Sequence, residues 1–201
     1  MGRARCCINR RRVVTAFQAA TFAGGCRGAP VGAGGIVSKS EAVLASRADY
    51  DGSIAALVAA LLRHFAGGAF DHGSAYRSED FKAAALWLPP GFGPDEEAVG
   101  AVMQEGVAPE LQGEVLAVLE QVGASHPEVP HWYLPAIGVE PMVHGKGYGT
   151  ALLTRGLEVC DGAHVATYLE ATNPSSIPLY RRMGFEVAGE IRAGSSPACW
   201  S

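Results

Sequence analysis

The chain has 201 residues, 48% of them hydrophobic, with a formal net charge of -4 at pH 7; that length supports one well-buried core and is short for two. Residues 1–40 carry seven Lys or Arg and no acid, so the rest is strongly acidic, which argues against a nucleic-acid surface and fits a small or cationic substrate. No apolar run reaches the roughly eighteen residues of a membrane helix, and Cys6, Cys7, Cys26, Cys160 and Cys199 lack the spacing of a disulfide framework or zinc site, so a soluble chain with free thiols in a reducing cytoplasm is expected.

Residues 1–48 are basic at Met1–Arg12, moderately apolar at Val13–Ala23 and rich in Gly, Ala and Pro at Gly24–Gly35. Arg10-Arg11-Arg12 before an apolar run partly fits a transit or twin-arginine signal, but Gln18 interrupts the run and no small-residue cleavage site stands out. A poorly ordered or mis-started extension is the expectation there, with the folded domain spanning 50–201.

Ser53 can cap a helix carrying Ile54, Leu57, Val58, Leu61, Leu62 and Phe65 at helical spacing, ended by Gly67-Gly68. Ala69–Arg77 and Lys82–Leu88 read as a hairpin across the polar turn Ser78-Glu79-Asp80, with Pro89-Pro90-Gly91 as a stop. Asp95–Gln104 opens on three acids at the positive end of a helix dipole, and Pro109–Gly123 sets Leu111, Val115, Val118, Leu119 and Val122 on one face. These two helices are expected to form one wall of a substrate pocket. Ser125–Pro130 is a proline-bracketed linker into Trp132–Val139, an apolar run closed by Glu140-Pro141 that reads as a strand buried on both faces. A helix follows the glycines at 145, 147 and 149 and runs to about Asp161. Val165–Ala171 is a strand, Asn173-Pro174-Ser175 starts a short helix through Met183, and Phe185–Ile191 is a further strand.

Gly145, Gly147 and Gly149 let the backbone turn tightly beside a ligand, and the amides of the helix start behind them form an anion site. A P-loop requires Gly-Lys-Ser/Thr, whereas Lys146 is followed by Gly147 and no glycine lies five positions before Gly145. A dinucleotide fingerprint requires Gly-x-Gly-x-x-Gly near the first strand, whereas the spacing here is Gly-x-Gly-x-Gly late in the chain, so a dehydrogenase reading is weak.

The run His144-Gly-Lys-Gly-Tyr-Gly149, following a strand that ends Gly-Val-Glu-Pro, resembles the acetyl-CoA loop of the GNAT superfamily of N-acetyltransferases. That signature is Gln or Arg, two residues, Gly, one residue, then Gly or Ala; Gly147 and Gly149 meet it and His144 departs. Asn173 and Leu179-Tyr180-Arg-Arg-Met-Gly184-Phe185 match the superfamily's later motif. Ala85-Leu-Trp-Leu-Pro-Pro90, His131-Trp-Tyr-Leu-Pro-Ala-Ile-Gly-Val139, Tyr168–Asn173 and Ile177–Phe185 are similar to the branch that includes puromycin N-acetyltransferase. The likeness spans roughly 50–197. Residues 1–48 offer no convincing equivalent of the family's first strand, and the last strand is expected to be cut short.

The resemblance implies an α/β fold with a mixed, largely antiparallel sheet flanked by helices. It implies acetyl-CoA as co-substrate without a metal, and direct acetyl transfer to a primary amine of a small molecule. Nucleic acid and membrane are not expected as partners, and a homodimer is left open. The rival reading is a non-catalytic acetyl-CoA-binding module. By resemblance the pyrophosphate lies on the loop from His144 through Gly145, Lys146, Gly147, Tyr148 and Gly149 to Thr150, the pantetheine arm pairs with the edge at Ile137 and Val139, and Asn173 joins the cofactor site. An amine of pKa near 10.4 is free base in only roughly one molecule per thousand at neutral pH, so a base is required. Glu170 is the leading candidate, Glu140 the second; by resemblance Tyr180 matches the tyrosine that faces the sulfur and is expected to act as the acid that protonates the leaving thiolate, and the Val139 amide is the candidate to receive the oxyanion. Cys160 near His164 admits a nucleophile reading that direct transfer does not need, and His64, His72, His126 and His131 show no ligand spacing.

Overall fold

A computed structural model describes residues 12–16, 53–171 and 173–191. Its strands are β1 (Arg12–Ala16), β2 (Ala75–Arg77), β3 (Ala83–Leu88), β4 (His131–Val139), β5 (Ala166–Ala171) and β6 (Glu186–Glu190), in one sheet ordered β2-β3-β4-β5-β1-β6. The helices are α1 (Ser53–Ala66), α2 (Gly68–Asp71), α3 (Glu96–Gly106), α4 (Pro109–Ala124), α5 (Tyr148–Ala163) and α6 (Ile177–Arg182), with 3-10 turns at Pro141–Val143 and Pro174–Ser176. The mixed α/β sheet flanked by helices is therefore present. It is antiparallel through β2, β3 and β4, and parallel where β5 meets β4 and where β1 meets β5 and β6.

Strand alternation sends side chains to two faces. On one, Ala83, Ala85, Trp87, Leu134, Leu169 and Ala171 pack against α5 and α6 through Leu153, Leu157, Ile177 and Tyr180. On the other, Leu86, Leu88, Tyr133, Ala136 and Tyr168 meet Ala66 and Ala69 of α1 and α2. Asp95 caps α3 by accepting from the Ala98 amide at 3.1 Å, and Pro109 occupies the first turn of α4.

Two sequence expectations change. Gly68–Asp71 is helical, so the first hairpin strand begins at Ala75 and not at Ala69. The pairing explains this: β3 meets Ala75 through Leu86, and the preceding Ser74 turns the chain by binding the Trp87 carbonyl at 2.6 Å and the Ala69 carbonyl at 3.3 Å. The second change is β1. Arg12–Ala16 lies within the segment expected to be poorly ordered, yet Val13, Val14 and Thr15 supply a β-branched run that fills the space between β5 and β6. The remaining residues of 1–48, and 192–201 at the other end, lie outside the described residues. Among the described residues no helix is long and apolar enough to cross a membrane.

Candidate active site

The site begins where the sheet splits. β4 and β5 are paired only at His131–Ala166, Trp132–Thr167 and Tyr133–Tyr168; beyond Tyr133 the two strands part, while β4 stays attached to β3 as far as Ala83–Val139. Pro135 falls at the parting point and lacks an amide proton, and the β3 register slips opposite it, between Leu86 and Leu88. The edge that includes Ile137 and Val139 is thus open toward β5. An extended, peptide-like arm can add there as a strand.

The glycine loop stands at the far end of that edge. Gly145 and Gly147 hold φ of 76° and 90°, the left-handed region that favours glycine. Gly147 precedes α5 without any side-chain cap and no acid lies in the first turn, so the amides of Tyr148, Gly149 and Thr150 keep the helix's positive end. A Cβ on Gly149 would stand 3.3 Å from Leu179 Cδ2 and 3.8 Å from Val139 Cγ2. Glycine at this position lets the loop, the end of β4 and the helix of Tyr180 meet. Residues 144–147 and Thr150 are exposed, as an anion cradle requires.

His144, the position where the loop departs from the superfamily signature, has a structural use. Its Nε2 donates to the Val139 carbonyl at 2.9 Å, and the next amide, of Glu140, donates to the Lys82 carbonyl at 2.7 Å. One peptide plane is therefore held at both ends where the open edge finishes. Asn173 is likewise engaged: its Oδ1 accepts from the Ser175 amide at 2.9 Å and caps the 3-10 turn. Glu140 is buried, with Oε2 lacking a hydrogen-bond partner among the described residues.

Tyr148 donates to Asp80 Oδ2 at 2.7 Å, which ties the loop to the β2–β3 turn. Hydrogen bonds from Tyr148 first and Ser78 second hold the Asp80 carboxyl at about 2, below its ordinary 3.8. A folded value below the unfolded one adds stability that is fully present above pH 3.8 and lost as pH falls toward 2. Asp80→Asn is expected to flatten the stability profile across that interval in thermal unfolding; an unchanged acid slope would show that the clamp contributes nothing.

Glu170 and Tyr180 fall on opposite sides of the sheet. Tyr180 belongs to the cluster under α5 and α6, where burial raises its hydroxyl to about 12. Glu170 follows Tyr168 by two residues and shares its face, toward α4. Its side chain is 8% exposed, and its Oε1 lies 3.3 Å from His126 Nε2. Tyr133 also hydrogen-bonds Glu170; its hydroxyl is pushed well above the ordinary range by burial first and by the carboxylate second. His126 Nδ1 is 3.0 Å from His131 Nε2, and burial lowers His131.

Spacing alone did not identify these histidines as functional. The available signal was the linker itself, because Pro127 and Pro130 fold the chain so that rings five residues apart meet. Cys160 is packed in the core at 1% exposure, which removes the nucleophile reading, and Arg181 and Arg182 are exposed on α6.

A cleft of about 820 Å³ opens beside these rings, between α3, α4 and the linker. Phe65, Phe92, Val99, Leu116 and Leu119 line it, Glu96, Glu120 and Glu128 add acids, and among the described residues no Lys or Arg lines it. The two helices expected to wall a pocket do so.

Residues 74–185, more than half of the chain, match the acetyltransferase (GNAT) family, and the chain belongs to that family. The uncharacterised N-acetyltransferase C550.08 of Schizosaccharomyces pombe is 28% identical over 120 residues, 53% of this chain and 48% of that protein. The chain therefore spans about half the length of this relative. Among solved structures, one of Corynebacterium glutamicum described as histone acetyltransferase HPA2 and related acetyltransferase is similar in fold, with a TM-score of 0.50 at 23% identity over 82% of this chain and 85% of that one.

Proposed function

We propose that the protein moves acetyl from acetyl-CoA to a primary amine of a small molecule by direct attack. The observation that carries this reading is the split between β4 and β5, with the glycine-led helix and Tyr180 toward one face and Glu170 with the acid-lined cleft toward the other. The residues fit the co-substrate: uncapped amides at α5 take phosphate charge, Gly149 leaves room, and the edge through Ile137 and Val139 accepts the arm.

The amine enters from the cleft, whose acids attract a cation and whose apolar walls hold its body. Glu170 receives the proton that the ammonium loses. A carbon–nitrogen bond then forms and the carbon–sulfur bond breaks. Tyr180, neutral at any working pH because its hydroxyl sits at about 12, donates a hydrogen bond to the departing sulfur. We place the reaction in the cytoplasm, with neither nucleic acid nor membrane as partner and with a homodimer admitted as the assembly.

Thiol release from acetyl-CoA with a panel of primary amines tests the proposal, beginning with amines on aromatic bodies in keeping with the cleft and with the likeness to the puromycin-acetylating branch. Turnover with at least one such amine is expected. Binding of CoA by calorimetry without turnover would favour the non-catalytic module, and no CoA binding would remove both readings.

A further inference from the structure

Two imidazoles and one carboxylate are joined end to end on the α4 side of the sheet. The Val129 carbonyl lies 2.8 Å from His131 Nδ1. A carbonyl only accepts, so neutral His131 carries its proton on Nδ1 and a lone pair on Nε2. That lone pair is 3.0 Å from His126 Nδ1, which must therefore donate. Neutral His126 is left with a bare Nε2. This nitrogen stands 3.3 Å from Glu170 Oε1, an ion-pair contact outside hydrogen-bond alignment, which leaves that buried oxygen without a hydrogen-bond partner among the described residues. Lone pair against charged oxygen is repulsive; one proton between them converts the contact into a charge-assisted one.

We propose that His126 and Glu170 hold a single exchangeable proton between them, and that this pair, and not the carboxylate alone, takes the proton from the amine. His131 and the Val129 carbonyl set the tautomer that makes the pair. The inference rests on the amine-acetylation reading above. When the pair is empty, the ammonium proton moves into the gap between Oε1 and Nε2 as the nitrogen becomes a nucleophile. It leaves through His126, whose side chain is 24% exposed at the cleft while that of Glu170 is 8% exposed. His126 is thus a positioning and proton-sharing residue.

Tyr133 of β4 hydrogen-bonds Glu170, and the Tyr168 ring of β5 lies 4.5 Å from the His126 ring. Glu96, Glu120 and Glu128 line the same cleft from α3, α4 and the linker.

His126→Gln keeps an N–H where it can point at Glu170 but cannot release that proton. It is expected to move the acid limb of kcat/KM, because the group that takes the proton changes from a carboxylate–imidazole pair to a carboxylate alone. The plateau should fall about tenfold, since the remaining base is weaker, with KM for acetyl-CoA unchanged. A His126→Gln enzyme with the wild-type profile and plateau overturns the pair.

A second measurement needs no substrate. Ring-nitrogen NMR of the whole chain is expected to show His131 protonated on Nδ1, and Glu170→Gln is expected to shift the His126 ring signals. An Nε2–H tautomer at His131, or His126 signals indifferent to Glu170→Gln, overturns the proposal whether or not an amine is found. Correct ring signals without turnover on any amine would sink only the acetylation reading.

Discussion

Tyr180→Phe is expected to lower kcat about a hundredfold, with acetyl-CoA affinity held within about twofold and the fold intact. The ring is buried at 6% exposure and packs edge-to-face on Phe185, centroids 6.0 Å apart, so phenylalanine preserves the packing and removes only the hydroxyl. What the hydroxyl does follows from its proton affinity. Burial lifts it to about 12, whereas a thiolate of cysteine type lies near 8.5. Complete proton transfer from Tyr180 to sulfur is then uphill by about 5 kcal/mol. In the proposed reaction Tyr180 therefore donates a hydrogen bond to the charge growing on sulfur, and the thiolate is protonated by solvent after it leaves. The loss in Tyr180→Phe should accordingly be uniform across about pH 6 to 9, without movement of either limb of the rate profile. Steady-state thiol release measures it, and an unchanged kcat would remove Tyr180 from the chemistry.

The second large effect concerns stability. Gly156 sits on α5 directly over Trp87, and a Cβ there would fall 2.2 Å from Trp87 Cε2 and 2.3 Å from Nε1. Both elements are fixed: Trp87 is 1% exposed in a strand paired on either side, and α5 is anchored beside Gly156 by Leu153 and Leu157. Neither can yield an ångström without opening the core. Gly156→Ala is expected to cost about 3 kcal/mol, the upper end for overpacking, and to lower Tm by about 6 to 12 °C. The damage should reach function, because α5 also carries the amides proposed to bind phosphate. A double substitution with Trp87→Phe relieves the contact and should recover a substantial part of the loss; strict additivity in that cycle would place the strain elsewhere.

The donor half of the site was legible because its chemistry is local in sequence. Gly145, Gly147 and Gly149 before an apolar helix, and Asn173 through Phe185 behind them, carry their meaning in spacing, and the structure builds a turn, an uncapped helix start and a short buried helix from them. The parting of β4 from β5 was less legible. Its one sequence mark, Pro135, lies inside a run that otherwise reads as unbroken strand. The proposed proton path was illegible for a different reason. Glu170 could be named from the strand that carries it, but His126 gains meaning only after folding brings the linker onto β5, and no periodicity records a contact between residues that far apart. Ala69–Asp71 failed as a strand because pairing is decided by the partner: apolar residues become strand only where β3 extends to meet them.

The position of β1 has a consequence in time. Arg12–Ala16 leaves the ribosome long before its neighbours in the sheet, Thr167–Ala171 and Glu186–Glu190. Synthesis at about 5 to 20 residues per second therefore leaves this strand without its partners for many seconds, with both backbone edges available to other chains. Because β6 is joined to the sheet through β1, the sheet beyond β5 closes only when the two distant segments find each other. Such non-local closure is slow compared with helix formation or hairpin zipping. The yield of native protein is thus set by a race between capture of β1 and its loss to aggregation, so it should depend on chaperone capacity during synthesis more than on the stability of the finished fold.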